Sequence, residues 1–154
     1  MSIKSINVLA ENAAKEICDH FLRLDSLIKI SYPNNVLNQE ATSYYSHSGL
    51  YAFVLVKNSV RGIIYVGKSE GDDRLRQHLT GENKDGSILS ENTRTKHNEI
   101  KKAINDGYDV YLALMNDPDF KKSSLSCLEI ECILQSTKQL ESSLNIPSWN
   151  KRVG

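Results

Sequence analysis

Two tyrosine-bearing segments, Gly49-Leu50-Tyr51 and Tyr65-Val66-Gly67, lie one short hairpin apart, and Lys68 follows the second at once. Arg74 and His78 come next, spaced by four, which on a helix puts them on one face. Far along the chain Glu129 sits among Leu125, Leu128, Cys132 and Ile133, a single helical stripe that turns the carboxylate inward or toward a cleft. Together these types suit hydrolysis of a phosphodiester, which requires a positioned water, a proton acceptor and neutralisation of developing negative charge. Tyr51 could orient or deprotonate the water. A free phenol has a pKa near ~10, so a cation must lower it, and Lys68 is the candidate. The guanidinium of Arg74 offers a planar donor fork for phosphate oxygens, and His78 could relay a proton or bind phosphate. A carboxylate on an apolar stripe needs a partner or a metal. With phosphate oxygens beside one carboxylate, the fitting ion is Mg²⁺ (or Mn²⁺). Glu131, next to Cys127, Leu134 and Gln135 on a neighbouring face, is the alternative ligand. Each residue also has a bland reading: Tyr51 as a core tyrosine, Arg74 and His78 as a solvated pair, Glu129 as a surface glutamate.

The elements that must position these groups follow from hydrophobic periodicity. Ile6, Leu9, Ala13, Ile17, Phe21, Leu24 and Ile28 recur at steps of three and four and predict an amphipathic helix over 6–28. Residues 31–48 read as polar and irregular. Two apolar runs rich in β-formers, 50–56 and 62–67, are joined by a hairpin-length connection; pairing Val56 with Val60 would set Tyr51 opposite Tyr65 on one face. Short helices are expected over 72–79, with Leu75 and Leu79 inward, and over 95–106, with Ile100, Ala103 and Ile104 inward and Gly107 ending it. The polar stretch 80–93 between them reads as a mobile loop. A third strand is expected over 108–115, a break at Asn116-Asp117-Pro118-Asp119, a long helix over 124–140 and a closing segment over 145–150. This order predicts an α+β fold: a small antiparallel three-stranded sheet flanked by helices, with an N-terminal helical extension over 1–48 ahead of a domain over 49–154.

Length and composition agree with such a domain. The chain has 154 residues, 40% hydrophobic and 25% charged, and no apolar run long enough for a bilayer. The first residues lack a basic segment followed by an apolar stretch, so no secretory leader and no membrane partner are expected. Three cysteines without a CxxC suggest neither a disulfide framework nor a zinc site, and a reducing, cytoplasmic location is expected; Cys127 and Cys132 should pack as small buried hydrophobes. The formal net charge is zero, which argues against a nucleic-acid binder. The charge is not evenly spread, however. Residues 57–102 carry ten Lys or Arg against seven Asp or Glu, the one basic excess in the chain, and they hold most of the candidate site.

Taken together, the segments resemble the GIY-YIG nuclease family. Gly49-Leu50-Tyr51 and Tyr65-Val66-Gly67-Lys68-Ser69 stand for its two signatures, with Leu and Val in place of Ile. Arg74-Leu75-Arg76-Gln77-His78-Leu79 is similar to its arginine helix, Leu128-Glu129 through Ile133 to its glutamate helix, and Pro147-Ser148-Trp149-Asn150 to its terminal element. The pieces fall in the family's order over about residues 49–150, and the pattern is nearest to the restriction-endonuclease-like members. The resemblance implies that Tyr51 serves as general base or positions the water. It implies that Tyr65 holds the nucleophile or the scissile phosphate, and that Arg74 binds phosphate, with Arg76 as the alternative. Glu129 would ligate one divalent metal, Lys68 and His78 would assist, and Asn150 would brace the site.

The expectation is therefore a metal-dependent DNA endonuclease of restriction, phage or mobile-element, or toxin type, with DNA as partner and a homodimer for double-strand cutting. The helix over 6–28 is a candidate interface. A structure-specific repair nuclease and a non-catalytic nucleic-acid-binding module are the alternatives.

Overall fold

A computed structural model of the chain describes residues 3–70, 73–115 and 122–150. The expected break at Asn116–Asp119 lies outside the described residues, as do the side chains of Ile6, Leu9, Leu24, Leu125 and Cys127. The architecture is α+β: one antiparallel sheet with helices on both faces. In chain order the elements are α1 (Ile3–Phe21), β1 (Ile28–Ile30), α2 (Gln39–Thr42), β2 (Ser48–Lys57), β3 (Val60–Glu70), α3 (Arg74–Thr80), α4 (Thr95–Asn105), β4 (Asp109–Leu114) and α5 (Lys122–Ser143). No described helix is long and apolar enough to cross a membrane.

The sheet has four strands, not the expected three, in the order β1-β4-β2-β3. The additional strand, Ile28–Ile30, begins at the last residue of the expected helix over 6–28, which instead stops at Phe21. Ser26 contributes to the stop. Its hydroxyl donates to the carbonyls of Arg23 (3.0 Å) and His20 (3.4 Å), a local alternative to helical pairing. Beyond it, Ile28 and Ile30 bury alternately around exposed Lys29 and pair with Leu112 and Val110 of β4. Within 31–48, expected to be irregular, the short α2 buries Ala41.

β2 is central, so both its faces are covered. Tyr51, Phe53 and Leu55 enter one core with Ile64, Tyr65, β1, α3, α4 and Leu140 of α5. Leu50, Ala52 and Val54 enter the other, with Ile63, Val66, α1 and the first half of α5. The face of α1 that could have served as an interface, Ala14, Ile17, Cys18 and Phe21, is buried in this second core.

The β2–β3 hairpin turns on Asn58-Ser59, both at positive φ (52° and 67°), the geometry whose twist matches that of the flanking strands. Lys57 pairs with Val60, and farther on a bulge leaves Ile64 without an opposite residue. Turn and bulge each shift the pairing by one. Tyr51 therefore lies opposite Gly67 rather than opposite Tyr65. The combined shift of two preserves the face, so the phenols remain diagonal neighbours, ring centroids 6.2 Å apart. The stretch after α3 is hydrogen-bonded rather than structureless. Leu89 N–H donates to Gly81 O (2.8 Å), Gln77 Nε2 to Asn83 Oδ1 (3.1 Å), and Glu82 bridges Ile88.

Candidate active site

A cleft of about 420 Å³ opens between β3, α3, α4 and α5 and is lined by Tyr65, Arg74, His78, Glu129 and Asn150, together with Lys96, Thr93 and Trp149. Five of the seven sequence-predicted site residues thus face one space. Of the other two, Tyr51 lies beneath Tyr65 and Lys68 stands beside Glu129.

Strand geometry and one glycine fix the phenols. A Cβ at Gly67 would stand 2.6 Å from Tyr51 Cζ and 2.9 Å from Tyr65 Cε1, so only glycine lets the Tyr51 ring cross the neighbouring strand. Phe53 stacks on Tyr65 at 5.6 Å, and His78 meets Tyr65 edge-on at 5.6 Å. Arg74 opens α3, and Leu75 and Leu79 anchor that helix in the core with Arg74 and His78 toward the cleft.

Burial governs the ionisation of this cluster. Tyr51 is fully buried, and desolvation pushes its phenol well above the usual range; Tyr65 and Glu129 push the same way and Arg74 opposes. This corrects the expectation that a cation lowers the Tyr51 pKa: burial outweighs the opposing pull, to which Arg74 contributes. The Tyr51 oxygen lies close enough to Tyr65 to be perturbed by it, yet has no partner of good hydrogen-bond geometry. Tyr65 is also raised by burial, against the Arg74 guanidinium, which donates to its oxygen. Both phenols therefore keep their protons at neutral pH.

Glu129 is half-buried, and burial raises its pKa against the pull of Lys68, Arg74 and a hydrogen bond from the Lys68 backbone N–H. Glu131 lines a separate depression of about 600 Å³ with Glu11 and Lys15 of α1. The two arginines part in the same way. Arg76 pairs through Nε with Asp73 (2.9 Å) and sits 4.2 Å over the Tyr45 ring, while Arg74 faces the cleft.

No family model, curated protein or solved structure matches this chain. What the site can do is argued from its own groups.

Asn150 braces the sheet. Its amide donates to Val66 O (2.9 Å) and accepts from Val66 N–H (3.0 Å), filling an edge position of β3 as a further strand would. Ser148 Oγ (3.1 Å) and Trp149 N–H (2.9 Å) both donate to Ile64 O at the bulge.

The residues fit a divalent ion of the magnesium kind. Among the described residues no group of three or more His, Cys, Asp or Glu is placed to hold a metal, and Glu129 would be a protein ligand with waters and phosphate oxygens completing the shell. A carboxylate held partly out of water gains from such an ion. With Lys68 and Arg74 beside the carboxylate, such an ion would be better accommodated together with an anion.

Lys96, Thr93 and Thr95 are cleft residues that the sequence reading missed. A signal existed for Lys96: it precedes Ile100 by four and Ala103 by seven, on the stripe that buries α4.

Proposed function

We propose that this chain is a divalent-metal-dependent DNA endonuclease that hydrolyses phosphodiester bonds, of the kind its resemblance to GIY-YIG nucleases implies. The observation that carries the reading is the gathering of a phenol, a guanidinium, an imidazole and a carboxylate in one cleft, from β3, α3 and α5, with a second phenol from β2 buried beneath the first. Arg74 would hold the scissile phosphate and stabilise the charge that develops on it. Tyr65, protonated and fixed by Arg74, would donate a hydrogen bond to the attacking water or to a phosphate oxygen. Tyr51 is sealed beneath Tyr65 and acts as a positioning residue rather than as a base. His78 is the cleft group whose imidazole would take the water's proton. Lys68 holds Glu129 through its backbone N–H and adds positive charge at the rim. Glu129 would hold Mg²⁺ (or Mn²⁺), which when bound supplies Lewis-acid stabilisation of the phosphate. One cleft serves one strand, so double-strand cutting would require two copies, joined through a surface other than the buried face of α1.

The test is plasmid DNA with purified protein and Mg²⁺ or Mn²⁺, beside Glu129→Ala. Nicked or linear products with the parent and none with the variant are expected. No cutting by the parent with either metal would overturn the reading; full activity of the variant would remove Glu129 from the metal. Forked against plain substrates would sort repair-type from restriction-type cutting.

A further inference from the structure

The cleft contains a cation that the nuclease reading leaves without a task. Lys96 comes from α4, lines the same cleft as Arg74, and is only 9% exposed. Lysine is seldom that buried unless it is paired. Among the described residues its ammonium reaches the Glu99 carboxylate at 3.8 Å, a long ion pair. It also lies 5.3 Å from the centroid of the Tyr65 ring, the phenol whose oxygen Arg74 holds. Tyr65 is therefore approached by two cations from different helices, Arg74 at its oxygen and Lys96 over its ring. Thr93 and Thr95 add hydroxyls to the same wall.

We infer that Lys96 binds a DNA phosphate, acting with Arg74 as the second cation of a clamp across Tyr65, and that Glu99 occupies Lys96 while the cleft is empty. This rests on the nuclease reading and extends it from the scissile bond to a backbone phosphate of the same strand. A desolvated ammonium gains more from an incoming phosphate than an exposed one, because water screens it less. Glu99 is the competing anion, so phosphate would take over the ammonium without a new charge having to be created in the cleft.

The experiment is equilibrium binding of a short DNA duplex, without divalent metal, over a range of salt, for the parent, Lys96→Gln, Glu99→Gln and the double variant. Each phosphate neutralised contributes about 0.9 to the slope of log K against log[salt]. Lys96→Gln is expected to lower that slope by about 1 and to weaken binding. Lys96→Arg should restore the slope. Glu99→Gln should bind more tightly than the parent, and the double variant should stay weak. If Lys96 only neutralises Glu99, both single variants weaken binding through misfolding, the slope stays at the parent value and the double variant recovers; any of these overturns the inference. Thermal melting of each variant separates loss of fold from loss of contact. A parent that shows no salt-dependent binding removes the nuclease reading along with this one, whereas an unchanged slope in Lys96→Gln removes this one alone.

Discussion

Leu50 and Tyr51 are neighbours in β2 and enter opposite faces of the sheet, and the two faces are built differently. Among the described residues, the buried core toward α1 and α5 is aliphatic apart from Phe21 and two thiols, with Tyr111 and Met115 packed against it. There the Cys18 thiol donates to Cys132 O (3.8 Å), and Cys132 is pushed far above the thiol range by its contact with Cys18 and by burial, so the Cys132 sulfur is not poised to react. The face toward α3 and α4 carries Tyr51, Phe53, Tyr65, His78 and Trp149 in mutual ring contact, with a buried hydroxyl and a half-buried carboxylate at its edge. One face gains stability from nearly every atom it buries. The other holds groups that would be better solvated in the unfolded chain, and the first face must offset that cost.

The sharpest way to break the contrast is at Arg74. Arg74→Ala should lower cutting by about 10²–10³-fold, the scale of removing one donor to developing charge, with little change in melting temperature. Arg76→Ala should do the reverse: keep its rate and lose up to about 1 kcal/mol with its ion pair and ring contact. Equal activities for Arg74→Ala and the parent, measured as initial rates on plasmid, would strike Arg74 from the site.

A comparison of the faces residue by residue comes next. Leu50→Ala should cost about 2–5 kcal/mol in urea denaturation while the rate per folded molecule is kept. Tyr51→Phe should hold stability within about 1 kcal/mol, because the hydroxyl it removes is buried without a well-made hydrogen bond. Its rate should nevertheless fall by about tenfold, as Tyr65 loses its neighbour. A Tyr51→Phe enzyme as fast as the parent would make the hydroxyl irrelevant. Glycine substitutions on β3 probe the same contrast at smaller scale. Gly67→Ala drives a methyl into the Tyr51 ring and should cost about 1–3 kcal/mol. Gly62→Ala meets the methyl ends of Leu140 and Leu144, at 2.8 and 3.0 Å, which can shift more readily than a ring, so it should cost less. Equal losses would mean that the Tyr51 ring is not fixed by Gly67.

Residue chemistry and segment order were enough to locate the cleft. Tyr51 and Tyr65 share a face because strand side chains alternate, Arg74 and His78 because a helix brings every fourth residue round, and neither rule depends on distant parts of the chain. The parts that were not legible depend on long-range structure. The bulge at Ile64 has no local code; it is held by donors from Ser148 and Trp149, more than eighty residues away. The strand at Ile28–Ile30 is three residues long and exists because β4 offers it an edge. Proton affinity was misread for the same reason. Lys68 follows the phenol in sequence, but burial, which sequence does not state, outweighs every cation near Tyr51.

The smallest expected effect concerns Glu129, and its sign separates function from stability. Burial raises the folded-state pKa of this carboxylate above its unfolded value. The folded protein then keeps the proton to higher pH than the unfolded chain does, so this group's contribution to stability falls as pH rises from the ordinary carboxylate range through the folded pKa. Above that window ionised Glu129 is a net cost. Glutamine cannot ionise, so Glu129→Gln should melt above the parent at neutral pH. The gain should be no more than a few degrees, because a half-buried group is still screened by water. It should shrink to nothing as the pH is lowered until Glu129 is protonated in both states, and the variant should cut no DNA at any pH. A gain that persists unchanged in acid would mean that glutamine merely packs better. In that case Glu129 is not held against its preference for water, and the case for a cation at that carboxylate weakens with it.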